Sequence, residues 1–252
     1  MLYFRRDLNE IESIMEISGL LRFAIFISLS LSLYGLERWR PRISATPDKR
    51  RLGVNLGLGL GSYLVMRVLA PISLIHVASL TADRNFGIMN WLPFGAAALP
   101  VGLVLFDLLL YWQHYFFHKF KFLWDLHKIH HQDDHLDLTT GIRFHPLEII
   151  ISYGLKLIFI LILGVGPWTI LICEIWLNSM SLFSHSNLNL NADLEGKLQK
   201  VIITPDYHRI HHSVASEQMH SNFCNGFSFW DKKFSTYSSS KREDADKVIV
   251  GA

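Results

Sequence analysis

Cysteine is nearly absent: the 252 residues hold two, Cys173 and Cys224, and no C-x-x-C pair. That excludes a disulfide framework and a cysteine-built zinc module. Charge is scarce, at 18% Asp, Glu, Lys and Arg, and almost balanced at a net +2. No basic stripe with interleaved aromatics occurs, so nucleic acid is not an expected partner. A P-loop and a G-x-G-x-x-G following a strand are both missing, which excludes the common nucleotide-binding folds. No A-x-A-like cleavage site follows the first apolar segment, and Asp7, Glu10, Glu12 and Glu16 precede it. That segment therefore reads as a retained helix and not as a signal peptide.

What the chain has is apolar length. Half of its residues are hydrophobic and the mean hydropathy is +0.24. Measured against the roughly 20 residues of a spanning helix, the candidate segments are 20–36, 52–80 (with tilt or a break at Pro71), 91–112, 147–163 and 168–183. The last two flank the turn signal "GVGP" and are short, so a hairpin that only just crosses reads as well as two full spans. The expectation is an all-α integral membrane protein of about four to five transmembrane helices. It forms one membrane-embedded domain over 1–252: N-terminal helices and a basic loop in 1–90, a core in 91–237, and a polar tail in 238–252. The loop 37–51 carries six Lys/Arg and the loop 81–90 one, which makes the 37–51 side cytoplasmic. Counting crossings from there puts every histidine cluster on that same side.

Histidine is the anomaly, with 13 in the chain. His114 and His118 stand at i, i+4 in "HYFFH". His127, His130 and His131 stand at i, i+3, i+4 in "HKIHH", and His208, His211 and His212 repeat that pattern in "HRIHH". Residues at these spacings share one helix face. At this histidine content one H-x-x-H-H would arise by chance about 0.03 times, and here it occurs twice. Eight convergent imidazoles exceed what one four-coordinate ion uses, so two metal ions are the natural count.

"DLLLYWQHYFFHKFKFLWDLHKIHH", "TTGIRFHPLE", "TPDYHRIHHS" and "WDKKFST" together resemble the fatty acid hydroxylase/sterol desaturase superfamily, over about residues 100–237. These are integral-membrane, non-haem di-iron enzymes. The resemblance implies a cytoplasmic helical cap bearing the His boxes, and two iron ions that activate O2 against an aliphatic C–H bond of a lipid. It implies metal ligation by His114, His118, His127, His130, His131, His208, His211 and His212. The ligand that the family adds after its hairpin matches His185 in "FSHSN". Asn189 falls where some relatives place a further histidine, and His145 in "RFHP" matches a recurrent feature, read as a supporting or helix-capping residue. The sequence departs from the family at "HSNFCNGF" and "FST", outside the ligand set. Alcohol or alkene is the implied product, with sterol, fatty acyl and related lipids all open.

Two acids inside apolar segments are functional candidates. Asp107 shares a face with His114 and His118 and is expected to orient a ligand ring. Glu174 makes a stripe with Asn178 and His185, suited to proton relay or to a structural hydrogen bond. With no haem module in the sequence, electrons are expected from a separate protein, a ferredoxin or a cytochrome b5-like carrier with its reductase. Two other classes stand beside this reading. One is a zinc-loaded membrane protein, either a hydrolase needing an open metal site or a transporter needing ionisable groups along a midplane path. The other is a non-catalytic scaffold of the same fold.

Overall fold

The computed structural model describes residues 8–44, 48–239 and 241–251, with side chains from Glu16 onward apart from Pro71; Asp7 and residues 45–47 of the basic loop fall outside them. Helix α1 (Leu8–Trp39) runs into the basic loop, and α2 (Lys49–Leu69) leaves it. Asp48 starts α2 by accepting from the Arg50 amide at 3.0 Å, the usual way to satisfy a free helix-end N–H. A 3-10 turn over Ala70–Ile72 follows, and α3 (Leu74–Asp83) carries the chain on. The break falls at Pro71, which has no N–H to give and disfavours helix at the residue before it.

After the short α4 (Ile88–Trp91), α5 (Ala98–Lys119) returns and α6 (Lys121–His131) follows at once. The hairpin is α7 (Pro146–Leu163) and α8 (Pro167–His185). Five short helices complete the cap: α9 (Ala192–Leu198), α10 (Pro205–His211), α11 (Ser216–Met219), α12 (Phe229–Lys233) and α13 (Arg242–Ala245). Among the described residues there is no strand, only isolated bridges.

Four stretches are long and apolar enough to cross a membrane: Glu16–Trp39, Lys49–Trp91, Gly95–Lys119 and Pro146–Leu163. Helix α8, the fifth apolar segment of the sequence, is not among them. It packs against α1, α3, α5 and α10 and buries Ile170, Leu171, Cys173, Met180 and Leu182. A helix wrapped by other helices meets little lipid, so it can carry Glu174, Asn178 and Ser181 where an outer helix cannot. Gly164 turns the hairpin at φ +69°, and a Cβ there would lie 2.2 Å from the Phe86 carbonyl oxygen. That close approach pins the end of α7 to the α3–α4 connection.

Two apolar clusters organise the interior. One joins Leu74, Ile75, Ala78, Phe106, Phe159 and Ile170 within the bundle, with Phe106 and Phe159 edge to face at 5.6 Å. The other joins Tyr111, Met180, Ile203, Tyr207, Phe223 and Trp230 where bundle meets cap. Asp107 ties the second together. Its carboxylate accepts from Trp176 Nε1 at 3.0 Å, Trp230 Nε1 at 2.9 Å and the Phe227 amide at 3.1 Å. No imidazole bonds to it, so it braces the cap and does not orient a ligand ring. Gly226 lets this happen, since a Cβ there would sit 2.2 Å from both Asp107 Oδ1 and Trp176 Nε1. Asp107→Ala strands the buried Trp230 indole donor, at a cost of about 1–3 kcal/mol, together with the half-buried Trp176 indole and Phe227 amide. A clear drop in the thermal midpoint in detergent is expected, with Asp107→Asn falling in between.

The stretch expected as a polar tail is docked on the cap. Ala245 is buried, Ser213 pairs with Val250, and Arg42 bonds both Asp206 at 2.8 Å and Asp246 at 2.6 Å.

Candidate metal centre

Helix α5 ends with His118 one residue before its last, and the extended Phe120 turns the chain directly into α6. The two helices therefore lie against each other with His114 and His118 facing His127, His130 and His131. Thr204 caps α10 through its hydroxyl and Pro205 opens it, a strong start for a helix of seven residues. His185 is the last residue of α8. All nine of these histidines are buried.

They converge in two groups, His114, His118, His127, His131 and His211 in one, and His130, His185, His208 and His212 in the other. Within each group the ligating atoms lie within 4.8 Å of one another. Each H-x-x-H-H box thus splits between the groups. Residues i and i+4 of the α6 box join the first group and its i+3 residue the second; in the α10 box the assignment is reversed. The groups touch, with His131 stacked on His212 at 4.3 Å between ring centroids.

Hydrogen bonds at the outer nitrogens set the tautomers. Nδ1 of His114 faces the Phe223 carbonyl at 2.9 Å, that of His211 the Ser221 carbonyl at 2.7 Å, and that of His127 Glu148 Oε1 at 2.8 Å. In the second group, Nδ1 of His130 faces the Arg143 carbonyl at 3.2 Å and that of His185 the Ser181 carbonyl at 2.7 Å. A nitrogen that faces a carbonyl must carry the proton and donate, which leaves a bare lone pair on Nε2. His130 Nε2 and His185 Nε2 nevertheless stand 2.9 Å apart. Two acceptors at that distance form no hydrogen bond and repel, unless a cation takes both lone pairs. In the first group, Nε2 of His114, His127 and His211 and both ring nitrogens of His118 and His131 have no hydrogen-bond partner. Buried polar atoms almost always have one. This donor set fits a pair of metal ions.

Burial also keeps the rings in the ligating form. It holds His130, His131, His208 and His212 well below the ordinary imidazole range, with neighbouring rings adding to the effect. It takes His211 down to about 3. Neutral imidazole is the state that binds metal.

The remaining candidates lie elsewhere. His145 caps α7, its Nδ1 accepting from the Leu147 amide at 3.1 Å. Asn189 is outside both groups, its side-chain oxygen accepting from Arg242 at 2.6 Å. Glu174 pairs with Arg22. The sequence reading missed Glu148, which sits within the quoted "TTGIRFHPLE" but 21 residues from His127, beyond any local spacing rule. It also missed the loop carbonyls of Ser221 and Phe223, because a carbonyl leaves no mark on residue type. A carboxylate behind a ligand imidazole fixes its orientation and raises its basicity. Glu148→Gln is expected to weaken metal affinity by about 10–100-fold, read by competition with a chelator of known affinity.

Beneath the two groups lies a cavity of about 410 Å³, reached by His114, His127, His130, His185 and His208 at one end. The molecule is thus a membrane-embedded helical bundle whose cap closes a double polyhistidine site over a cavity. The chain belongs to the fatty acid hydroxylase family, whose profile matches residues 99–236. It is 25% identical over 199 residues to an ornithine lipid hydroxylase of Rhizobium tropici, covering 79% of this chain and 57% of that protein. It is 28% identical over 145 residues to an alkylglycerol monooxygenase of Danio rerio, covering 58% of this chain and 30% of that one. The human alkylglycerol monooxygenase is 27% identical over 145 residues, again 30% of its length. The chain spans little more than half of the first relative and under a third of the others. No solved structure matches it.

Proposed function

We propose that this chain is an O2-dependent di-iron oxidoreductase that hydroxylates an aliphatic C–H bond of a membrane lipid. The observation that carries the reading is the pair of buried polyhistidine groups forming one wall of a substrate-sized cavity. His114, His118, His127, His131 and His211 would hold one iron, and His130, His185, His208 and His212 the other. When bound, the metals supply O2 activation for attack on an unactivated C–H bond. The protein's part is to hold neutral rings in fixed tautomers, to shield the site from water, and to present one carbon to it. The names of the relatives support hydroxylation over desaturation. A transporter would spread its ligands along a path across the bilayer, whereas these gather at one end.

The cap faces the cytoplasm on the strength of the basic loop. There it would meet the electron donor, a ferredoxin or a cytochrome b5-like protein with its reductase. The first histidine group is the nearer to the surface. His118 lies 4.9 Å from the half-buried Trp124 and 5.6 Å from the exposed His220 between ring centroids, so a docked donor has a short route in.

The test is anaerobic purification, an iron count, and turnover of membrane lipids under 18O2 with a reductant. About two irons per chain and one labelled oxygen in a lipid product support the reading. No labelled lipid from iron-reconstituted protein, across total lipid extracts, overturns it.

A further inference from the structure

The far end of the cavity is not greasy. Arg22 from α1, Lys156 from α7 and Glu174 from α8 all line it. Arg22 and Glu174 form an ion pair, whereas Lys156 makes no ion pair among the described residues. Two basic side chains therefore share one carboxylate at this end of the cavity. Arg22 and Lys156 both lie inside stretches apolar enough to span the membrane, where a charge is expensive and usually marks a binding site or a pathway. The wall leading up to them is polar on one side. Ser152 continues the stripe of Glu148 and Lys156 on α7, and Asn178 and Ser181 continue that of Glu174 and His185 on α8. A channel for bare hydrocarbon has no use for these groups, since each must be desolvated to bury an alkyl chain against it.

Depth follows from helix rise. Eight residues of α7 separate Glu148 from Lys156 and eleven of α8 separate Glu174 from His185, which is about 12 and 16 Å. Phe26 on α1 and Tyr63 and Met66 on α2 wall the same space. Helix α1 packs on α8 and α2 on α7, so both outer walls of the cavity rest on the hairpin.

We propose that Lys156 and Arg22 form a receptor for the anionic group of an amphiphilic substrate, a carboxylate or phosphate joined to an alkyl chain. This places the oxidised carbon well away from the anion, at the other end of the cavity. The proposal rests on the oxygenase reading for its chemistry, but its test does not need turnover.

The experiment is equilibrium binding to the purified protein in phosphatidylcholine nanodiscs, without O2 or reductant. The ligands are N-palmitoylglycine, its neutral methyl ester, and hexadecyl phosphate. The wild type is expected to bind at least one of the two anions about tenfold or more tightly than the ester, because a charge-assisted hydrogen bond is worth that much. Which anion binds better tells carboxylate from phosphate. Lys156→Met should abolish the preference and Lys156→Arg should keep it. Equal binding of ester and both anions by the wild type overturns the proposal, and that comparison needs no variant to fold. An unchanged preference in Lys156→Met overturns it too. Lost preference beside intact 18O incorporation would sink the receptor alone, and the reverse pattern would sink the oxygenase reading alone.

Discussion

His211→Ala and His212→Ala together should weaken both metal sites, although the two residues are adjacent in sequence. The rings belong to different groups, His211 to the five-membered one and His212 to the four-membered one. The informative comparison uses pairs drawn from different boxes. His127→Ala with His211→Ala takes two rings from the first group and leaves the second whole, so iron should fall from about two per chain to about one. His130→Ala with His212→Ala does the same to the second group and should leave the other iron. Spectra of the two one-iron proteins should differ, since one site keeps five rings and the other four. Among single changes His212→Ala is the more severe, leaving three ligands where His211→Ala leaves four. Each should lower turnover by more than about 100-fold, because even a partner behind a metal ligand is worth 10–100-fold. Metal analysis of the five variants decides the matter. If both cross-box doubles give the same residual site, the crosswise sharing of the boxes is wrong.

That sharing also marks what a sequence can and cannot carry. Periodicity identified the three boxes and the faces they occupy, because i, i+3 and i+4 are helix geometry and nothing more. Which ring pairs with which depends on how α10 lies across α6, and that is set by tertiary packing. The four membrane stretches were legible as apolar length. Helix α8 was borderline because its surroundings, and not its own composition, keep it from lipid. Arg51 shows the same limit from another side. In the sequence it was one of the charges that orient the chain. In the structure it is buried and bonded to Asp133, together with Asn55 at 2.9 Å and Thr140 at 2.7 Å. This knot holds the loop after α6, which delivers the Arg143 carbonyl to His130. Asp107 was singled out for its depth in an apolar helix, but its indole partners come from residues 69 and 123 positions away. Long-range pairing of this kind leaves no local pattern to read.

Removing the metals should open the cap and leave the bundle standing. Without ions, seven of the nine buried imidazoles keep ring nitrogens that nothing in the protein satisfies, and the other two, His130 and His185, press two lone pairs together at 2.9 Å. The metal-free cap therefore carries a penalty that binding relieves, and metal affinity becomes folding free energy. A site filled at a thousandfold its Kd contributes about 4 kcal/mol. Two such sites contribute about 8 kcal/mol, against a total of about 5–15 kcal/mol for a typical domain. The loss should be local. The cluster of Leu74, Ile75, Phe106, Phe159 and Ile170 contains no histidine, so its packing does not depend on the ligand rings. Hydrogen exchange with and without a chelator should show α6, α10 and the 220–227 loop losing protection by several orders of magnitude. Helix α3 and the first half of α5 should not change. Equal protection in both states would mean that the cage is held by its packing alone, and that its histidines were never balanced by metal.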